Sequence, residues 1–339
     1  MSAAIFYIIY ILLLPFTVVG YVLWVGKAIL ARRGSGVSGT AQGPLSARWF
    51  QHNLGVRQDE PANRLMKVLP GVPPLGLRLV MGPLLLAHRA SGYVPRAFRY
   101  PYEGEISMQY AAAARQTFFD RVVEQYLAST GQFVILGAGF DTRPYRLPRE
   151  SRVRSFEVDT PKTQAVKRAM LDKAGIDPAG VTFVAADFEK DDWFARLVEA
   201  GFDPSQPALF LWEGVTVYLN REAVESTLRK IAGTASGSGA ARGSSAAQGS
   251  GAATGSVVAF DYFTTEPLES RSLYWQYARA GTRAAGEPLT FGIDSTPPSR
   301  ERLEEFLNSC GLSLAEQHTL GDETGGKRAW GGFAIAVVP

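Results

Sequence analysis

The hydrophobic pattern divides the chain into an apolar N-terminal segment and a body of short, alternating elements. Residues 3–26 include no charged side chain, and a helix of that length exceeds the roughly 30 Å hydrocarbon core of a membrane. This pattern predicts an uncleaved N-terminal transmembrane helix. A cleaved signal peptide fits less well, because it needs a basic region before a shorter apolar run. A buried core helix is the third interpretation.

Basic side chains follow this apolar segment. Lys27, Arg32 and Arg33 come directly after it, and residues 27–100 hold far more basic than acidic side chains. By the positive-inside rule this excess predicts a body on the cytoplasmic side, next to an anionic leaflet. No basic stretch with interleaved aromatic residues indicates a nucleic-acid partner. We therefore expect residues 27–104 to form a basic, helical cap beside the membrane.

A second apolar segment lies at residues 65–95. Its apolar runs are too short to span a membrane, and Arg78 interrupts them. One interpretation is a helix packed on the core. The other is a segment that lies in the membrane interface or covers a substrate.

The body alternates between apolar strands and amphipathic helices. A helix is predicted over 105–129, and it is followed by five strands with helices between them, at 132–136, 153–158, 181–185, 208–212 and 257–263. A helix over 299–310 precedes a closing antiparallel pair at 313–319 and 332–338. This order predicts an α/β fold: a Rossmann-like, doubly wound, mostly parallel seven-stranded sheet with an antiparallel C-terminal strand pair.

Composition refines this picture in two places. Residues 233–256 are Gly, Ala, Ser or Thr at 22 of 24 positions, which predicts a flexible insertion within a domain over 105–339. The single cysteine, Cys310, excludes an intrachain disulfide framework, and no Cys/His cluster has the spacing of a zinc site.

The first predicted strand runs into the sequence Gly137-Ala138-Gly139. Two glycines allow a tight turn and a close approach of a ligand to the backbone. The third glycine of a dinucleotide fingerprint is replaced by Thr142. Asp159 ends the next strand, 22 residues after Gly137, where a carboxylate can accept hydrogen bonds from both ribose hydroxyls. Its alternative role is to cap the following helix.

Two more acidic residues follow strand ends. Asp187, next to Phe188, could accept from an adenine amino group while the ring covers the base, and Glu213 follows the fourth strand. Glu213 could equally be a capping or solvated residue. Several acids and few phosphate-binding features favour a cationic cofactor, S-adenosylmethionine, over a nicotinamide dinucleotide. A nicotinamide-dependent oxidoreductase stays open as the alternative.

Five segments in this order resemble the leucine carboxyl methyltransferase family: AAAARQTFFDRVV, LGAGFDTRPYRL, FEVDTP, AADF and LWEGVTVYL. The resemblance covers the chain from Ser107 to the C-terminus, apart from the insertion. The family includes methyltransferases of a phosphatase C-terminal leucine and bacterial polyketide carboxyl O-methyltransferases. It implies an S-adenosylmethionine-dependent O-methyltransferase, which we expect to act on a carboxylate, or an acidic hydroxyl, of a small molecule or peptide.

The resemblance also implies roles for individual residues. It implies that Arg115 pairs with the methionine carboxylate of the cofactor, and that Gly137 and Gly139 lie under the cofactor. It implies that Asp159 binds the ribose. It also implies that Asp187 and Phe188 contact the adenine and that Glu213 lies near the amino group. Asp141 and Arg143 belong to the same motif, where they either hold the loop together or touch the ligand.

The residue types available for catalysis favour an acceptor that is already anionic. A carboxylate needs no general base, whereas a neutral hydroxyl does, and none of the three histidines, His52, His88 and His318, lies in a motif. Tyr218 and Tyr262 are candidates for the acceptor pocket, with a place in the core as the equal alternative. A non-catalytic membrane scaffold that retains the fold is the remaining function.

Overall fold

The computed structural model describes residues 1–35, 41–148, 150–236, 255–284 and 286–339. The predicted flexible insertion at 233–256 falls mostly outside these described residues.

A seven-stranded sheet forms the centre of the protein. Its strands are β1 (Gln132–Leu136), β2 (Arg154–Asp159), β3 (Val181–Ala185), β4 (Ala208–Trp212), β5 (Val257–Phe263), β6 (Ser313–Leu320) and β7 (Gly331–Val337). They lie in the order β3-β2-β1-β4-β5-β7-β6. The first five strands run parallel, while β7 pairs antiparallel with both β5 and β6. The predicted seven-stranded, mostly parallel sheet with its antiparallel C-terminal pair is confirmed, and each strand ends within one residue of its predicted limits.

Side chains of β1 alternate between two cores because successive residues of a strand point to opposite faces. Phe133 and Ile135 pack with α6 (Ala111–Tyr126), whereas Val134 and Leu136 face the opposite core. That second core is completed by three helices, α8 (Trp193–Glu199), α9 (Arg221–Ala232) and α12 (Ser299–Ser309). The sheet is therefore covered on both faces, as predicted.

Some helix limits differ from the sequence-based expectation. The helix predicted over 105–129 begins as a 3₁₀ turn at Met108–Tyr110 and becomes α-helical only at Ala111. Two helices after β5, α10 (Glu266–Glu269) and α11 (Leu273–Ala284), were not predicted.

Five helices precede this domain: α1 (Ser2–Leu12), α2 (Leu14–Ser35), α3 (Gln42–Asn53), α4 (Glu60–Val68) and α5 (Pro74–Ser91). They share a third core with α7 (Pro161–Ala174), and its buried members include Trp49, Met81 and Leu171. Part of the apolar segment at 65–95 thus forms α5. This helix packs on the core, which was the first of the two interpretations of the segment.

The apolar N-terminal segment is not one continuous helix. It bends by 60° between Ser2–Leu12 and Leu14–Trp24. Pro15 lies just after the bend, where its ring removes an N–H donor and conflicts with the carbonyl of Ile11 four residues earlier. Among the described residues no single helix passes the length and hydropathy test for a membrane span, and only this bent pair passes it together. The predicted single helix over 3–26 is therefore unsupported.

Helices α2 and α5 approach each other closely at two glycines. A Cβ atom on Gly20 would lie 2.8 Å from the carbonyl oxygen of Gly76, and one on Gly76 would lie 3.1 Å from that of Gly20. A side chain at Gly20 would force the helices apart. The outer surface of this layer keeps large apolar side chains exposed, among them Ile11, Leu12, Phe16, Val22 and Leu86.

Candidate active site

A cavity of about 310 Å³ opens where the parallel strands β1 to β4 end. Its lining includes all seven residues predicted to bind a cofactor: Arg115, Gly137, Gly139, Asp159, Asp187, Phe188 and Glu213. They come from α6 and from the loops after four strands. This is the usual ligand position in an open α/β sheet.

The turn after β1 requires glycine at Gly137. Its φ is +67°, and a Cβ atom there would lie 2.4 Å from Cγ2 of Val215. The Gly137 N–H donates to the carbonyl of Val158 at 2.8 Å, which ties the turn to β2. Gly139 also has a positive φ, +43°. The two glycines therefore keep the floor of the cavity as bare backbone.

Asp159 closes this turn from the end of β2. One carboxylate oxygen accepts from the Gly139 N–H at 2.6 Å, and the other accepts from the Thr160 N–H at 2.7 Å. Burial raises the pKa of Asp159, while the two N–H groups favour its charged form. Thr160 caps α7, through its contact with the Thr163 N–H. The capping role proposed for Asp159 is therefore wrong, and its carboxylate keeps acceptor capacity for a ligand.

Asp187 and Phe188 form the next part of the lining. Asp187 accepts from the Glu189 N–H at 3.0 Å and from Lys190 at 2.7 Å, and Lys190 lowers its pKa. Phe188 packs beside Trp193, with ring centroids 5.7 Å apart. An ionised acid and an aromatic ring thus lie side by side at the cavity.

Glu213 is surrounded by three arginines. Its Oε2 accepts from Arg143 at 2.6 Å and from Arg48 at 3.2 Å, and its Oε1 lies 3.4 Å from Nε of Arg115. The side chain is buried, so the capping or solvated role considered for Glu213 is wrong. Oε1 has no hydrogen-bond partner among the described residues, which leaves an acceptor for a ligand.

A buried network of ion pairs lies behind this cluster. Arg143 donates to Asp120 at 2.7 Å and also pairs with Asp141, while Arg57 bridges Asp120 and Asp59 at 2.6 Å each. Burial opposes ionisation of Asp120, but Arg143 and Arg57 outweigh it and hold its pKa well below the usual range. Arg143 therefore holds the loop together, whereas Asp141 also lines the cavity.

Two arginines of this network come from the N-terminal region. Sequence reasoning counted Arg48 and Arg57 only as part of a basic excess near the membrane. Both are instead buried, 1% and 3% exposed, and paired with carboxylates of the sheet domain or of their own loop. Arg48 also lines the cavity. Nothing in the local sequence marks these residues, because their partners lie far away along the chain.

Asp261, in β5, is a second residue that sequence reasoning missed. Its Oδ1 accepts from the Gly214 N–H at 2.6 Å, and its Oδ2 accepts from Nη1 of Arg115 at 3.3 Å. Burial raises the pKa of Asp261, against the effect of Arg115. Asp261 thus positions both the loop after β4 and the predicted cofactor-binding arginine.

The acceptor-pocket candidates separate. Tyr218 lines the cavity. Tyr262 does not, because its ring is 1% exposed within the core and its hydroxyl accepts from Gln317 at 2.8 Å. Tyr262 therefore occupies the core position that was its equal alternative. The three histidines form hydrogen bonds away from this cavity. His52 accepts from the Asp59 N–H, His88 bonds to the Tyr93 carbonyl, and His318 bonds to the Glu316 carboxylate.

Comparison with known proteins identifies the family. The model of the leucine carboxyl methyltransferase family matches residues 90–232. A predicted S-adenosyl-L-methionine-dependent methyltransferase of Mycobacteroides abscessus is 34% identical over 234 residues, which are 68% of this chain and 76% of that relative. The chain belongs to the leucine carboxyl methyltransferase family of S-adenosylmethionine-dependent methyltransferases. The cofactor predicted from the acidic strand ends is confirmed, in preference to a nicotinamide dinucleotide.

Other matches are shorter or more distant. A predicted S-adenosyl-L-methionine-dependent methyltransferase of Mycolicibacterium smegmatis is 35% identical over 191 residues, which are 56% of this chain. The chain spans about half the length of that relative, 53%. A magnesium protoporphyrin IX methyltransferase of Synechocystis has a TM-score of 0.40 at 11% identity, covering 70% of this chain and 91% of that chain. The family assignment rests on the sequence relatives.

Proposed function

We propose that this methyltransferase transfers a methyl group to an oxygen of a carboxylate, or of an acidic hydroxyl, on a small molecule or peptide. One observation supports the proposal most directly. The cavity that collects all seven predicted cofactor-binding residues is lined by carboxylates, arginines and a tyrosine, with no histidine among its described lining. An acceptor that is already anionic suits such a site, because no proton has to be removed from it.

The lining residues fit S-adenosylmethionine. Asp159 and Asp187 offer acceptors for ribose hydroxyls and an adenine amino group, and Phe188 offers a ring face. Arg115 offers a guanidinium for the carboxylate of the amino-acid part. Oε1 of Glu213, which is buried and accepts no hydrogen bond from the described residues, offers an acceptor for its ammonium.

The protein contributes to methyl transfer mainly by positioning the acceptor relative to the methyl group. The bound cofactor supplies a methyl group that its sulfonium already activates. The protein must hold the acceptor oxygen in line with that methyl group, since alignment removes much of the entropic part of the barrier. We assign this task to the lining near Tyr218, Leu219 and Val215, which follow the predicted cofactor-binding Glu213 along the chain.

The stability of the product to alkali tests the kind of oxygen. The full chain is incubated with tritiated-methyl S-adenosylmethionine and fractions of a cell extract, and the labelled product is treated with mild alkali. A carboxyl methyl ester releases volatile labelled methanol, whereas an aryl methyl ether keeps its label.

Two variants control this assay. Asp159→Asn should abolish the labelling, whereas Asp172→Asn, an exposed residue of α7, should leave it unchanged. Label on nitrogen or carbon would contradict the proposal. A folded wild-type chain that labels nothing in any fraction would favour a non-catalytic scaffold.

We also propose that α1 and α2 attach the protein to a membrane and that the basic residues after them keep the catalytic domain on the cytoplasmic side. The proposal is supported by the exposed apolar surface of this helix pair, on which Leu12 is 72% exposed. Deletion of residues 2–26 should move the protein from the membrane pellet to the supernatant. If the truncated protein stays in the pellet, α5 is the attachment instead.

A further inference from the structure

The N-terminal helices form a second cavity, open to solvent and of about 440 Å³, that the methyltransferase site does not use. It lies between α3, α4 and α5. Its volume falls within the roughly 300–1,000 Å³ range of small-molecule sites. None of its lining residues also lines the cofactor cavity.

The inner surface of this cavity is apolar. Trp49, Val72, Leu77 and Met81 all line it and are all buried. Gly82 leaves further room on α5, because a Cβ atom at this position would meet no atom within 4 Å. A hydrocarbon chain in this space would transfer apolar surface out of water on both sides of the contact.

The rim of the cavity carries two cations and no acid. Lys67 and Arg78 line it and are exposed, and neither has a carboxylate partner among the described residues. Asn53 and Asn63 also line it, joined to each other by a hydrogen bond of 3.3 Å. The lining contains no Asp or Glu. An apolar floor beneath an uncompensated positive rim complements a ligand with a hydrocarbon chain and a negative head.

We propose that this cavity binds a single-chain amphiphile with an anionic head, such as a fatty-acid carboxylate. The hydrocarbon chain lies against Trp49 and Met81, and the head group pairs with Lys67 and Arg78. This site goes beyond the proposed function, because it is separate from the cofactor cavity and needs no methyl transfer.

Photolabelling of the full chain tests the proposal. The chain is placed in phosphatidylcholine nanodiscs with a fatty acid that carries a photoreactive diazirine, and labelled peptides are located by mass spectrometry. We expect saturable labelling of peptides from residues 49–85. Oleate should compete at least about fivefold better than oleyl alcohol, because only oleate can pair with both rim cations.

Three variants separate this cavity from other apolar surfaces. Gly82→Phe should fill the cavity and reduce labelling at least tenfold, whereas Gly281→Phe, also at a helical glycine with no atom within 4 Å, should not. The double variant Lys67→Gln/Arg78→Gln changes two exposed side chains and should abolish the preference for oleate over oleyl alcohol.

The proposal is overturned by any of three results: label concentrated on α1 and α2, label unaffected by a folded Gly82→Phe variant, or equal competition by the acid and the alcohol in the wild type. The last result would identify the region as a general membrane-contacting surface. If Gly82→Phe does not fold, the exposed-residue double variant decides alone.

Discussion

Replacing Gly137 with alanine should destabilise the folded protein by about 2–5 kcal/mol. Two contributions make up this figure. A residue with a Cβ atom pays roughly 1–2 kcal/mol in the left-handed region, where the φ of Gly137 lies at +67°. The new Cβ would also lie 2.4 Å from Val215 Cγ2, and relieving such an overlap costs roughly 1–3 kcal/mol.

Urea unfolding of the full chain, monitored by tryptophan fluorescence, measures the loss of stability. Two further variants separate the backbone contribution from that of the overlap with Val215. Gly55 has a φ of +71° with no atom within 4 Å of a built Cβ, so Gly55→Ala should cost only the backbone part, about 1–2 kcal/mol. Adding Val215→Ala to Gly137→Ala removes the overlap and should recover most of the remainder.

The reasoning would be refuted if Gly137→Ala cost no more than Gly55→Ala. It would also be refuted if the double variant recovered nothing, because the overlap with Val215 would then not be the cause. Since Gly137 lines the cofactor cavity, affinity for S-adenosylmethionine should fall together with stability.

Three other predictions concern buried charges. The pKa of Asp120 is lowered in the folded state, so the stability that its charge contributes is present above the unfolded pKa near 4 and is lost as the pH falls. Asp120→Asn should therefore unfold more easily at pH 7. Its melting temperature should also change less between pH 5 and pH 2 than that of the wild type. Lys167 Nζ lies 2.7 Å from Glu157 Oε2 in the core, so Glu157→Gln and Lys167→Met should each cost about 3–5 kcal/mol, and the double variant much less, as measured in urea. Asp261→Asn should weaken S-adenosylmethionine binding about tenfold in titration calorimetry, because it loosens Arg115 and the Gly214 loop without lining the cavity, and an unchanged affinity would argue against this positioning role.

The centre of the sheet could be predicted from sequence because its strands are buried on both faces. β4 reads as an unbroken apolar run and β1 as one after its first residue, Gln132, and every residue of both strands is buried. The site residues that follow strands, such as Asp159 and Glu213, could be predicted for the same reason, since parallel strands bring their carboxyl ends to one edge.

The N-terminal region could not be predicted in the same way. Arg48 and Arg57 look like surface charges, and only the folded chain shows that Asp141, Glu213 and Asp120 neutralise them. Ion pairs between residues so distant along the chain leave no periodic signal. The sequence left Tyr262 open between the acceptor pocket and the core for a related reason, because β7 and Gln317 cover the end of β5 only in the folded chain.

Titration calorimetry of the full chain with S-adenosylmethionine tests the central claim most directly. We predict a single site, with the affinity at least about tenfold lower in Asp159→Asn, which keeps the shape of the side chain but removes its charge. Asp172→Asn, on the exposed side of α7, should bind like the wild type. A folded wild-type chain that binds no S-adenosylmethionine, or an Asp159→Asn variant that binds it unchanged, would contradict the account.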